Sequence, residues 1–288
     1  MALELDHVFI CCSRGAPEGD ALVRLGLNEG SPNTHPGQGT ANRRFFFRNA
    51  FLELLWVSEP AEARSEQTRR TKLWERWSER ASRACPFGLA FRPRGANTAT
   101  APFATWTYRP NYLPPGLAIE FAEDVPLEEP ELVYLPFVHR AGPPAYEPTD
   151  HSLPIRELCS VAVGLPFGAL SKPSQAALSA GLVTYRLAAE HVLELTFLAV
   201  QETLVDLRPT LPLLLRGISQ DAAARPCAQA GCRGVVSSKP GGPGWQHWLP
   251  PSQRIHATVV RITTFPPDQL ARVGASRRRR ASPARVSP

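Results

Sequence analysis

Leu3-Glu-Leu-Asp-His-Val-Phe-Ile-Cys-Cys12 and Phe51-Leu-Glu-Leu-Leu-Trp-Val57 are the two stretches whose reading decides the fold. Both are short apolar runs enriched in β-branched and aromatic residues, the composition of strands. Between them Pro17 suits a first helical turn, Glu18 and Asp20 suit the positive end of a helix dipole, and Gly26 suits its stop. Ala21, Leu22 and Leu25 give that short helix an apolar face. A turn-rich loop over 28–39 follows, then a strand over 43–48 that leads through Asn49-Ala50 into 51–57. The order is βα(β)ββ.

Working outward, 60–84 reads as an exposed amphipathic helix with Leu73, Trp74, Trp77 and Ala81 on one face and Glu66 paired to Arg70. Strands are expected over 87–91, 104–108, 117–121 and 132–137, and 139–157 is proline-rich. The first module then recurs. Leu5-Asp-His-Val-Phe-Ile10 aligns with Leu158-Cys-Ser-Val-Ala-Val163, Pro17…Gly26 with Pro173…Gly181, and Phe51-Leu-Glu-Leu-Leu-Trp56 with Val192-Leu-Glu-Leu-Thr-Phe197. The reading is therefore a first module with an inserted helix and extra strands over 1–138, a linker over 139–154, a shortened second module over 155–216, and a tail over 217–288.

The charge belongs to that tail. The chain carries 32 basic and 26 acidic residues, a formal +6. Residues 217–288 hold ten arginines and Lys239 against only Asp221 and Asp268, a surplus of nine, so the body is net acidic by about three. Nucleic acid is thus not expected as a partner of the body. The tail, with Pro240-Gly-Gly-Pro-Gly244 and Arg277 to Arg280, has few large apolar residues and is expected to be disordered, although 254–264 resembles a strand without an obvious partner. The start of the chain lacks the basic and apolar pattern of a signal peptide, and no uncharged apolar run reaches the roughly 18 residues of a membrane span. With cysteines in no even framework, a reducing cytoplasm is the expectation. Cys227 and Cys232 with His247 and His256 only superficially suggest zinc. No phosphate-binding loop, nucleophile elbow or HExxH motif is present, which removes P-loop, kinase and serine-hydrolase readings.

Two residues stand out as polar groups on apolar strands. Alternation puts Leu5, His7 and Phe9 on one face, and Phe51, Glu53 and Leu55 on another. A carboxylate between Phe51 and Leu55 is costly to bury unless it is paired or bound to a cation. One imidazole and one carboxylate on neighbouring strands make half of a divalent-metal site, or simply a buried His–Glu hydrogen bond. The loop His35-Pro-Gly-Gln-Gly-Thr-Ala-Asn42 is the second candidate. Gly39 frees backbone amides, while His35, Thr40 and Asn42 offer side-chain groups to a small-molecule ligand.

Residues 4–57, with LDHVFI, HPGQGTANRRFFFRN and AFLELLWV, resemble the first module of glyoxalase-like proteins of the vicinal oxygen chelate superfamily. The resemblance implies an α+β fold of paired βαβββ modules forming a cupped mixed sheet. It also implies a divalent metal held by the first and last strands of each module. Carried over by position, His7, Glu53 and Glu194 are the metal ligands, with Glu53 and Glu194 also the candidate catalytic carboxylates. The fourth place falls on Ser160, an unusual ligand. The activity implied is a metal-assisted lyase, isomerase or dioxygenase acting on a small oxygenated metabolite. The alternative is a non-catalytic small-molecule-binding protein of the same fold, and a homodimer is compatible with either.

Overall fold

The computed structural model describes residues 2–95, 99–139, 142–220 and 258–261. Two mixed sheets organise it. The first runs through β1 (Leu3–Cys11), α1 (Gly19–Arg24), β2 (Asn33–His35), β3 (Thr40–Phe46) and β4 (Phe51–Val57). It continues after two short helices, α2 (Pro60–Ala63) and α3 (Leu73–Ser78), with β5 (Phe87–Pro93), β6 (Thr105–Tyr108), β7 (Ile119–Ala122) and β8 (Glu131–Tyr134). The spatial order is β2-β3-β4-β1-β5-β8-β7-β6.

That order is a repeat. Counted from its own first strand, each half reads first, fourth, third, second. β1 is parallel to β4 and β5 is parallel to β8, while β1 and β5 meet antiparallel at the centre. The paired modules that build the curled sheet are therefore β1–β4 and β5–β8. Strands β5–β8, expected as extra strands of the first module, thus form a module of their own, although the described residues between β5 and β6 form no helix.

The second sheet comprises β9 (Ile155–Leu165), β10 (Thr184–Leu187), β11 (Val192–Ala199), β12 (Thr203–Asp206), β13 (Leu213–Ile218) and β14 (Thr258–Arg261), with α4 (Lys172–Ser179) between β9 and β10. Its order is β10-β9-β11-β13-β12-β14. β9 and α4 fall where the repeat placed a strand and helix. The third alignment fails, however: β4 is parallel to β1, whereas β11 is antiparallel to β9. Similar apolar strands thus occupy different topological positions. Thr258–Arg261, within the stretch that resembled a strand without an obvious partner, pairs in parallel with β12. The remaining tail features, including Cys227, Cys232, His247, His256 and Arg277 to Arg280, lie outside the described residues.

The main core lies between the sheets. Val8, Ile10, Phe45, Leu52, Leu54, Leu89 and Phe91 of the first sheet cluster with Val161, Val163, Leu193, Leu195, Phe197 and Leu215 of the second. The Phe47 and Phe197 rings meet with centroids 4.5 Å apart. Strand alternation then turns the other face of the first sheet, with His7, Phe9, Phe51, Glu53 and Leu55, away from this core.

The helix expected over 60–84 is instead α2, a 3-10 turn at Arg69–Thr71 and α3. Lys72 adopts a left-handed conformation with φ of 54°, which breaks helical continuity. Glu66 pairs with Arg69 rather than Arg70, and Arg70 reaches Glu123. The segment is not a free helix but a cover. Leu73 is buried against Phe9, Cys11 and Leu55, and the Trp77 indole donates to the Cys12 carbonyl at 2.7 Å. Arg76, fully buried, anchors α3 by donating to the carbonyls of Cys85 and Glu129 at 2.6 and 2.7 Å, beside the Glu131 carboxylate.

Candidate functional site

The outward face of the first sheet encloses a cavity of about 210 Å³. Its floor is the β1–β4 half, which supplies His7, Phe9, Asn33, His35, Asn42, Arg44, Phe51, Glu53 and Leu55. The β5–β8 half supplies Ile119, Phe121, Val133 and Leu135, and Leu73 of α3 closes one end. The histidines, the carboxylate and the amides of the lining come from the β1–β4 half, and the strands of the other half add apolar side chains.

His7 is positioned by an irregularity. The register of β1 on β5 pairs Leu5 with Phe91 and His7 with Ala90, so Asp6 is an extra, bulged residue. Neighbouring side chains on a regular strand point to opposite faces; a bulge re-aims them. Asp6 thereby comes within 2.8 Å of His7 Nδ1. Asp6 is held in turn by Arg92, which donates at 2.9 Å and also engages Glu4 and the Asn49 carbonyl. Phe51 stacks on the imidazole with centroids 4.5 Å apart. The ring is fixed in plane and direction, and its Nε2 lies 3.5 Å from Glu53 Oε2.

Glu53 is only 5% exposed. Its Oε1 accepts from the Asn42 amide at 2.5 Å, and the Asn42 carbonyl oxygen accepts from the Asn33 backbone N–H at 2.8 Å. Arg44 stands directly opposite Glu53 in the β3–β4 ladder, yet its guanidinium donates to Ser31 and lies over the Phe46 ring. Around this centre, His35 Nδ1 and the Gln38 amide both bond the Thr40 hydroxyl, at 2.9 and 2.8 Å, and Tyr112 donates to the Gln38 carbonyl at 3.1 Å. Burial holds the His35 ring below the usual histidine range and pushes the Tyr112 phenol up, so both favour their neutral forms.

The loop residues divide by role. His35 and Asn42 line the cavity, whereas Thr40 sits behind His35 and Gln38 and orients them. Gly39 serves the backbone: its φ is 72°, its carbonyl accepts from the N–H groups of Ser58 and Glu59, and a Cβ there would lie 2.3 Å from the Glu59 carbonyl oxygen. Asp6, Gln38, Arg44 and Tyr112 escaped the sequence reading. The one available signal was an acid beside a histidine, which regular strand alternation says to ignore.

Glu194 is not brought to this cavity. Leu193 and Leu195 point into the core between the sheets, so Glu194 projects from the far face of the second sheet. There burial acts to raise its pKa, but hydrogen bonds from Arg216 and Arg186, at 2.7 and 2.6 Å, outweigh it and hold the carboxylate below its usual range. It is a structural ion pair. Ser160 is exposed on β9.

The donor set can be tested against a divalent ion. His7 Nε2 and Glu53 Oε2 have a spacing two ligands of one ion can adopt, and an Asp–His bond is a familiar support for a metal-bound imidazole. Catalytic sites need about three protein ligands, however. Among the described residues no three His, Cys, Asp or Glu side chains are grouped to hold a metal. The residues present do not complete such a centre. A larger open cleft of about 620 Å³ contains Arg80, Arg83 and Arg208, each already engaged: Arg80 with the Trp77 carbonyl, Arg83 with Glu79, and Arg208 with Asp206 and Glu190.

Fold and site define a paired-module protein whose cavity is built on a single curled sheet. The glyoxalase-like domain family model matches residues 5–166, which span the first sheet from Leu5 onward and β9. The chain belongs to that family. Solved structures that match include a hypothetical protein from Staphylococcus aureus, at 9% identity and a TM-score of 0.40, covering 76% of this chain and 100% of that one. A xylose isomerase-like TIM barrel/4-hydroxyphenylpyruvate dioxygenase fusion protein matches at 12% identity and a TM-score of 0.34, covering 68% of this chain and 36% of that one. A mutant 4-hydroxymandelate synthase from Streptomyces coelicolor matches at 10% and 0.32, covering 76% and 63%. No protein of curated function matches. Among the described residues no helix is long and apolar enough to cross a membrane.

Proposed function

We propose that the protein binds a small molecule in the first-sheet cavity without a resident metal ion. The observation that carries this reading is the asymmetry of the cavity. The β1–β4 half offers His7, Glu53 and Asn42, while the strands of the β5–β8 half offer Ile119, Phe121 and Val133, with Leu135 just beyond β8. A metal centre drawn from both modules lacks its second pair of ligands there. What remains suits a ligand with a polar head at His7 and Glu53 and an apolar body against β7 and β8. Burying about 150 Å² of apolar ligand surface contributes roughly 4 kcal/mol, before the costs of association. The fixed hydrogen bonds of Asn42, Gln38 and Thr40 spare the site much reorganisation on binding.

The metal-assisted lyase, isomerase or dioxygenase is the second reading, favoured by the Asp6-oriented imidazole facing Glu53. Metal analysis of protein produced with zinc, manganese and iron supplied separates the two. Metal-free binding predicts well under one equivalent retained after gel filtration, and ligand affinity indifferent to EDTA. One tightly held equivalent, lost in Glu53→Gln, refutes it.

A further inference from the structure

The His7 tautomer follows from its neighbour. The Arg92 guanidinium holds Asp6 as an acceptor, so His7 Nδ1, 2.8 Å from Asp6, carries the ring hydrogen. In the neutral ring Nε2 is then the lone-pair nitrogen, and it faces Glu53 Oε2 at 3.5 Å. With Oε1 occupied by Asn42, two acceptors then face each other across a gap on the polar side of the cavity. Such an arrangement is unfavourable by itself. A buried carboxylate wants a cation, and the two facing acceptors, Glu53 buried and His7 half-buried, want two hydrogens.

We infer that the cavity recognises a primary amine in its ammonium form, carried on a compact aromatic or aliphatic body. This rests on the metal-free binding reading above and names its ligand class. An ammonium supplies a hydrogen to Glu53 Oε2 and another to His7 Nε2, and its charge neutralises the carboxylate. The rings of Phe9, Phe51 and Phe121 line the same space, and aromatic faces attract cations. A hydroxyl has one hydrogen and serves only one of the two acceptors. A carboxylate ligand would set like charge against Glu53. The volume of about 210 Å³ lies below the roughly 300–1,000 Å³ of drug-sized sites, which limits the body to one ring with a short chain.

Calorimetric titration of the full chain at pH 7 in EDTA, with 2-phenylethylamine, 2-phenylethanol and phenylacetate, tests this. The amine should bind at least tenfold more tightly than the alcohol, and phenylacetate should not bind. Glu53→Gln, near-isosteric and checked by its melting curve, should reduce the amine to the affinity of the alcohol. If that variant does not fold, the wild-type amine-to-alcohol ratio decides. Alcohol or phenylacetate binding as tightly as the amine overturns the amine class while leaving metal-free binding intact; no amine binding under any condition also overturns it. Amine binding that appears only when zinc or manganese is added overturns both.

Discussion

Arg92→Met is the most informative single perturbation of the supports beneath the site. Arg92 is 1% exposed and Asp6 2%. The guanidinium makes three bonds of 2.9 to 3.0 Å, to Asp6, Glu4 and the Asn49 carbonyl. Methionine approximately preserves the volume, so the loss is mainly electrostatic. Removing one partner of a buried pair costs about 3–5 kcal/mol, and Asp6 keeps its bond to His7. Glu4 is partly exposed and can rehydrate, which places the expected loss near the lower figure. In a domain of this size 3 kcal/mol corresponds to roughly 6–12 °C in Tm. Urea denaturation followed by tryptophan fluorescence measures it, and Asp6→Asn added to Arg92→Met should restore part of the loss, since the buried charge that Arg92 balanced is then gone. A loss below 1 kcal/mol, or a double variant less stable than the single one, would refute the claim that Arg92 exists to hold Asp6, and through it the His7 ring.

Stability should also fall as the medium is acidified through the histidine range. His151 accepts the Asn28 backbone N–H on Nδ1 and donates to the Phe46 carbonyl through Nε2, and burial holds its pKa below the ordinary 6.5. A depressed folded-state pKa means the unfolded chain binds more protons, so this contribution is complete above about pH 6.5 and is lost as pH falls below it. Urea midpoints between pH 5 and 8 should show that slope, and His151→Gln should make it shallower, with His35 and His191 supplying the rest; an unchanged slope counts against the assignment. Glu194→Gln should leave cavity binding unchanged while reducing stability by about 1 kcal/mol, because its arginine partners are partly exposed. A drop in ligand affinity would show that the second sheet takes part in the site after all.

Much of the fold was legible because local pattern and tertiary environment agree. Phe51–Val57 was bounded correctly by composition alone, and β1 and α1 came within two or three residues. His7 and Glu53 were legible for the opposite reason. A titratable side chain in an apolar strand conflicts with its surroundings, and such a conflict marks a site. The helix over 60–84 failed because periodicity records which residues become buried, not whether the backbone between them stays regular. Leu73 and Trp77 are indeed buried or half-buried, but against Phe9, Cys11 and Leu55 across a chain broken at Lys72.

The amino-acid order alone determined that strands dominate, that an α+β module opens the chain, and that one imidazole and one carboxylate sit where water is scarce. Those properties depend on neighbours a few residues apart. Tertiary structure decided which strands are partners, and so that β5–β8 rather than 155–216 completes the curled sheet. It also decided that a bulge turns Asp6 toward His7, and that Glu194 faces away from both. Parallel or antiparallel pairing and the face on which a strand is covered are set by contacts between segments distant in sequence, and no local pattern of apolar residues encodes them.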